Sequence, residues 1–114
     1  MSVKLTTRQV GDVTVIDAVG RITLGEGAST FRELVRELAS NGRKKVLLNL
    51  ADVSYIDSSG IGELVSGFTT MANQSGTLKL LNLTKRVKDL LQITKLYTVF
   101  EVHEDEAAAV RSFA

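Results

Sequence analysis

Val46-Leu47-Leu48-Asn49-Leu50-Ala51-Asp52-Val53-Ser54-Tyr55-Ile56-Asp57-Ser58-Ser59-Gly60-Ile61-Gly62 is the stretch around which the rest of the chain is ordered. It opens on a near-continuous apolar run, Val46 to Leu50, of the kind that forms a central strand covered on both faces. Asp52 to Gly60 is polar and reads as a turn region. Beyond it the apolar residues change spacing. Ile61, Leu64, Val65 and Phe68 recur at i, i+3, i+4 and i+7, which is one face of a helix. Strand, helix and strand in succession call for parallel neighbours joined by right-handed crossovers.

Upstream, Lys4 to Val10 and Val13 to Val19 are β-prone runs separated by Gly11-Asp12, which reads as a hairpin turn. Gly20 to Gly27 holds three glycines and reads as a loop. Phe31, Leu34, Val35 and Leu38 mark a helix whose opposite face carries Arg32, Glu33, Arg36 and Glu37. Asn41-Gly42 ends it with residues that tolerate positive φ. Downstream, Ser75-Gly76 closes the second helix and Leu78 to Leu83 forms a strand. Thr84 caps a third helix through Val87, Leu90 and Leu91. Val99 to Val102 is a short last strand and Asp105 to Phe113 a last helix. The order is β-β-α-β-α-β-α-β-α: an α/β fold with a mixed sheet of about five strands, an opening antiparallel hairpin and about four helices. No internal repeat, linker or low-complexity segment interrupts it.

The 114 residues are one domain's worth, so a single domain over 1–114 is expected. With 14 basic and 13 acidic residues, the net charge of +1 gives no concentrated cationic surface for nucleic acid or membrane. Arg43-Lys44-Lys45 is a short solvated loop. The absence of cysteine removes disulfides, thiolate chemistry and Cys-based zinc sites. Met1-Ser2-Val3-Lys4 is not followed by an apolar signal region. No stretch approaches the roughly 18 apolar residues of a spanning helix. A cytoplasmic location is expected.

Enzyme chemistry lacks its parts. His103 is the one histidine and lies in the polar run His103-Glu104-Asp105-Glu106, read as an exposed loop leading into a solvated helix start. A triad with Ser58 lacks the G-x-S-x-G elbow. Gly60-Ile61-Gly62 lacks the third glycine of a dinucleotide fingerprint, because position 65 is Val65. No phosphate-binding loop of the G-x-x-x-x-G-K type is present. Asp52 and Asp57 read as turn residues rather than cation ligands. No cofactor or metal site is expected.

Ser58 and Ser59 fall where the chain enters the second helix. The first N–H groups of a helix lack internal partners, and the helix dipole favours negative charge there. A phosphate at this point suits the fold and would add about 1.5 to 2 negative charges beside Asp57. Serine before a helix is also an ordinary cap, and the local pattern leaves both readings open. On the second helix, Gly62, Ser66, Thr69, Thr70 and Asn73 lie away from the apolar stripe and are small and uncharged. Helix-interior glycine costs about 1 kcal/mol relative to alanine. Gly62 and Gly67 therefore read either as incidental or as places where another backbone comes close.

Asp57-Ser58-Ser59-Gly60-Ile61-Gly62, preceded by the Val46 to Leu50 strand and Asp52, resembles the signature of STAS domains and is most similar to that of bacterial anti-sigma factor antagonists. Gly20-Arg21-Ile22, the Thr77 to Leu83 strand, Val87-Lys88-Asp89-Leu90-Leu91 and Thr94 to Phe100 fall in the order of that family, so the resemblance covers almost the whole chain. It implies that Ser58 is a phosphoacceptor. It implies that the unphosphorylated protein binds an anti-sigma factor serine kinase, freeing the sigma factor, and that a serine phosphatase resets the switch. The partner surface it implies comprises Thr23, Asp57, Ser58, Ser59, Gly60, Ile61, Gly62 and Ser66. One departure stands out. Thr23 occupies a position where the family often carries an acidic residue, which weighs against kinase recognition and leaves the fold expectation intact. The rival reading is a non-phosphorylated scaffold in a signalling or transport complex. A third is a small-molecule or nucleotide binder using the helix start at Gly60.

Overall fold

A computed structural model describes residues 3–113. The elements are β1 (Val3–Val10), β2 (Val13–Ile22), α1 (Glu26–Ser40), β3 (Lys45–Ile56), α2 (Ser58–Asn73), β4 (Thr77–Leu81), α3 (Lys85–Ile93), β5 (Val102–His103) and α4 (Glu106–Arg111). One five-stranded sheet takes the order β1-β2-β3-β4-β5. β1 and β2 pair antiparallel, and every later pair is parallel. Gly11, at φ 63, supplies the left-handed first position of the two-residue turn between β1 and β2.

Strand order equals chain order, so each crossover steps in the same direction. Right-handed crossovers that all step one way put their helices on one face of the sheet. The core follows that rule. Phe31, Val35, Ile61, Leu64, Met71, Val87 and Leu91 from α1, α2 and α3 join Ile16, Ile22, Leu48, Leu50, Ile56 and Leu80 of the sheet in one cluster. The other sheet face packs Val13, Val15, Leu47 and Leu81 against Ala109 of α4. β3 is thus covered on both faces, as its apolar run requires.

Several sequence expectations change. β3 continues past Leu50 to Ile56, because Val53 and Ile56 are buried in alternation with exposed Asp52 and Ser54. β2 extends with it to Ile22, pairing Gly20 with Val53 and Ile22 with Ile56 across two register shifts. The turn expected over Asp52 to Gly60 therefore shrinks to Asp57, and the expected loop over Gly20 to Gly27 shortens at both ends. Val99 to Val102 contributes only Val102 to a strand. Phe100 leaves the sheet line and meets Phe68 of α2 edge to face, with ring centroids 5.7 Å apart.

His103 lies in β5, half-buried, rather than in a loop, and its Nε2 is 2.6 Å from Glu101 Oε2. Glu101 also meets Lys79 Nζ at 2.8 Å. Hydrogen bonding first to Lys79 and then to His103 holds the Glu101 carboxyl down at about 2. Lys79 is buried beneath α4 and donates to the Ser112 backbone carbonyl and Oγ at 3.0 and 2.8 Å. Lys45, expected in a solvated loop, starts β3 and pairs with Asp12 at 2.6 Å. No helix among the described residues is long and apolar enough to cross a membrane.

Arg8 of β1 ties α4 to the sheet. Its Nε lies 2.7 Å from Asp17 Oδ2, and its Nη1 lies 3.0 Å from Glu106 Oε2. Hydrogen bonding to Arg8 holds both carboxyls below their usual values. A carboxyl depressed in the folded state adds stability above its unfolded pKa of about 4, and that stability disappears as pH falls through the folded value. Urea unfolding should show wild type more stable than Arg8→Ala at neutral pH, with the gap closing below about pH 4. A gap that is constant with pH would exclude the ion pairs as its cause.

Candidate functional site

The end of β2, the end of β3 and the start of α2 meet at one point. Ile56 is the last residue of β3, and the Asp57 N–H donates to the Ile22 carbonyl at 3.4 Å. Asp57 adopts an extended backbone and serves as the N-cap of α2. Its Oδ1 accepts from the Gly60 N–H at 2.8 Å, as a capping side chain does at the third helical position. Its Oδ2 accepts from the Leu24 N–H at 3.3 Å, fixing the loop after β2 against the helix start.

Gly60 is required by its neighbours. A Cβ at that position would lie 2.1 Å from the Ile22 carbonyl oxygen and 2.7 Å from Ile56 Cγ1. The close backbone approach sought at Gly62 and Gly67 occurs here instead. Gly67 packs against the Phe31 ring, and Gly62 faces open space.

These contacts leave Ser58 and Ser59 without structural duty. Both are exposed in the first turn of α2, and among the described residues neither hydroxyl has a hydrogen-bond partner. The cap left open between serine and another group belongs to Asp57. Ser58, Gly62 and Ser66 recur every four residues along the exposed side of α2. Thr23, half-buried, lies in the loop that Asp57 anchors. Two members of the expected contact surface are not accessible. Ile61 is 1% exposed, and Gly60 is buried under β2. They position the helix start and do not present a surface.

Beside Ser58 a groove of about 680 Å³ separates the start of α2 from α3. Ser58, Tyr55, Lys85, Arg86, Leu90 and Ile93 line it. Arg86 packs over the Tyr55 ring at 4.1 Å from the centroid, and Arg21 of β2 does so at 4.9 Å. Among the described residues, the two most exposed large apolar side chains are Leu24 at 78% and Ile93 at 75%; Ile93 lines the groove, and Leu24 belongs to the loop that Asp57 anchors. The sequence reading missed this whole wall. Ile93 was open to discovery, because it lies well off the Val87–Leu91 stripe that α3 buries. Nothing in the sequence placed Leu24, which meets Asp57 from 33 residues away.

The model of the STAS domain family matches residues 4–109. The chain belongs to the STAS family. The anti-sigma-B factor antagonist of Bacillus subtilis (strain 168) is 31% identical over 97% of this chain and 100% of its own length. A solved structure described as a candidate anti-sigma factor antagonist from Thermotoga maritima superposes with a TM-score of 0.87 at 23% identity, over 96% of this chain and 93% of that one. The Bacillus cell fate determinant SpoIIAA in its phosphorylated form superposes with a TM-score of 0.76 at 18% identity, over 97% of this chain and 100% of that one. At these identities the two structures bear on the fold of this STAS chain.

Removing the Asp57 cap while keeping the chain otherwise intact should cost about 1 kcal/mol in Asp57→Ala. Gly60→Ala should cost about 1–3 kcal/mol by overpacking against β2. Ser58→Ala should leave stability within about 0.5 kcal/mol of wild type. Equal losses in all three, measured by urea unfolding, would contradict the division of labour between Asp57, Gly60 and Ser58.

Proposed function

We propose that this STAS domain is an anti-sigma factor antagonist: unphosphorylated, it binds an anti-sigma factor serine kinase and frees the sigma factor, and phosphate on Ser58 weakens that complex. The observation that carries this reading is the state of Ser58. Its hydroxyl is exposed at the mouth of α2 and spared from capping, with Ile93 lining the groove beside it and Leu24 exposed in the loop anchored by Asp57. Exposed apolar side chains around a polar centre are the makings of a protein interface. The names of the relatives point the same way.

In the switch, the terminal P–O bond of ATP breaks and an Oγ–P bond forms at Ser58. The hydroxyl proton is released and ADP leaves with the bonding electron pair. The product carries about two negative charges at the centre of the interface, where a docked partner would have to desolvate them. Hydrolysis by a serine phosphatase returns the hydroxyl. Asp57, Ser58, Ser59, Gly62, Ser66 and the Thr23 loop form the contact surface together with Leu24 and Ile93. Gly62 supports this assignment: among the described residues no neighbouring element lies within 4 Å of where its Cβ would stand, so packing gives no reason for glycine there. The switch would operate in the cytoplasm, where sigma factors act.

The rival is a scaffold that is never phosphorylated, and Thr23 at the usual acidic position favours it. Incubation with the cognate kinase and ATP, followed by intact-mass measurement, separates the two. The switch predicts a gain of one phosphate that is lost in Ser58→Ala. No gain would leave the scaffold. In binding assays, Ser58→Ala should hold the kinase with or without ATP, and Ser58→Asp should weaken it. Leu24→Ala and Ile93→Ala should each weaken unphosphorylated binding about tenfold, the 1.4 kcal/mol of a modest interface anchor. Wild-type affinity in all four variants would refute this surface.

A further inference from the structure

Two guanidinium groups share one ring at this site. Arg86 and Arg21 both pack on Tyr55, and among the described residues neither has a carboxylate partner. Arg8 and Arg32, by contrast, each meet carboxylates with two or more hydrogen bonds. A ring attracts each cation, but the cations repel one another. Arg86 has a second unfavourable contact. It follows Lys85 in the first turn of α3, where the helix dipole disfavours positive charge.

The carboxylates of the groove are already engaged. Asp89 holds Lys85 Nζ at 2.8 Å. Asp57 is turned onto the backbone N–H groups of Gly60 and Leu24. Arg86 therefore remains the uncompensated charge on the α3 wall, and Ser58 stands on the α2 wall of the same groove.

We propose that a phosphate on Ser58 is captured within the chain, bridging α2 to α3 through the Arg86 guanidinium. This rests on Ser58 being the phosphoacceptor. Planar guanidinium matches phosphate oxygens two at a time, and the clamp sets negative charge at the starts of both helices. Phosphorylation then does more than place charge in a partner's path. It draws Arg86 across the groove and closes the cleft beside Leu90 and Ile93.

The test uses the full chain with phosphoserine installed at position 58 during translation, so no kinase is needed. The ³¹P resonance is followed against pH, and the Arg86 Nε–H resonance is followed with and without the phosphate. An ordinary phosphoserine loses its second proton near about 6. The clamp predicts a lower midpoint that rises by about half a unit or more in Arg86→Ala. Arg86→Lys should recover part of the shift, since it keeps the charge and loses the fork. The Arg86 Nε–H signal should move on phosphorylation. Equal midpoints in wild type and folded Arg86→Ala would overturn the clamp. Kinase binding is measured separately on the same samples. If phosphate weakens binding but titrates alike in both chains, the clamp falls and the switch stands. If the midpoints differ but binding ignores the phosphate, the clamp stands and the switch falls.

Discussion

The Asp57 carboxylate is the interaction on which the site depends. One oxygen satisfies an N–H at the start of α2, and the other holds the loop that leaves β2. A helix start otherwise leaves donors unpaired, and a serine commonly fills that need. Here the aspartate does so, and the hydroxyl beside it is left without a hydrogen-bond partner among the described residues. Gly60 completes the arrangement by letting α2 begin hard against the Ile22 carbonyl. The turn is held by contacts from both β2 and β3. The residue it displays can be altered chemically without disturbing the pins.

Much of the fold was legible in the chain because its signals are local. The stripe Phe31, Leu34, Val35 and Leu38 reports one buried helix face, and Phe31, Val35 and Leu38 are buried as that stripe requires. The apolar run Val46 to Leu50 reports a strand packed on both sides. The strand ends were less legible. Val53 and Ile56 are buried only because β2 runs alongside them, and Phe100 leaves the sheet to meet Phe68. Such choices depend on partners far away in sequence, which propensity does not register.

The site divides in the same way. Asp57, Ser58 and Gly60 are contiguous and could be found by pattern. Their roles could not, since the same four letters allow Ser58, Ser59 or Asp57 to cap. The neighbours these residues meet from elsewhere in the chain were not legible. Arg86 reaches Tyr55 from 31 positions downstream, and Leu24 meets Asp57 from 33 upstream. The apolar surplus at Ile93 was the one clue, and it becomes meaningful only once α3 is seen to bury its Val87–Leu91 side.

The sheet's sequential strand order has a consequence for how the molecule is made. Each strand after the first docks on the one synthesised just before it. The β1–β2 hairpin closes over a two-residue turn and can form at once, whereas each parallel pairing waits for the crossover between its strands. The pins around residue 57 are complete once α2 has left the ribosome, with β4 onward still to come. The corner that displays Ser58 is therefore complete before the groove's second wall, which comes later with α3.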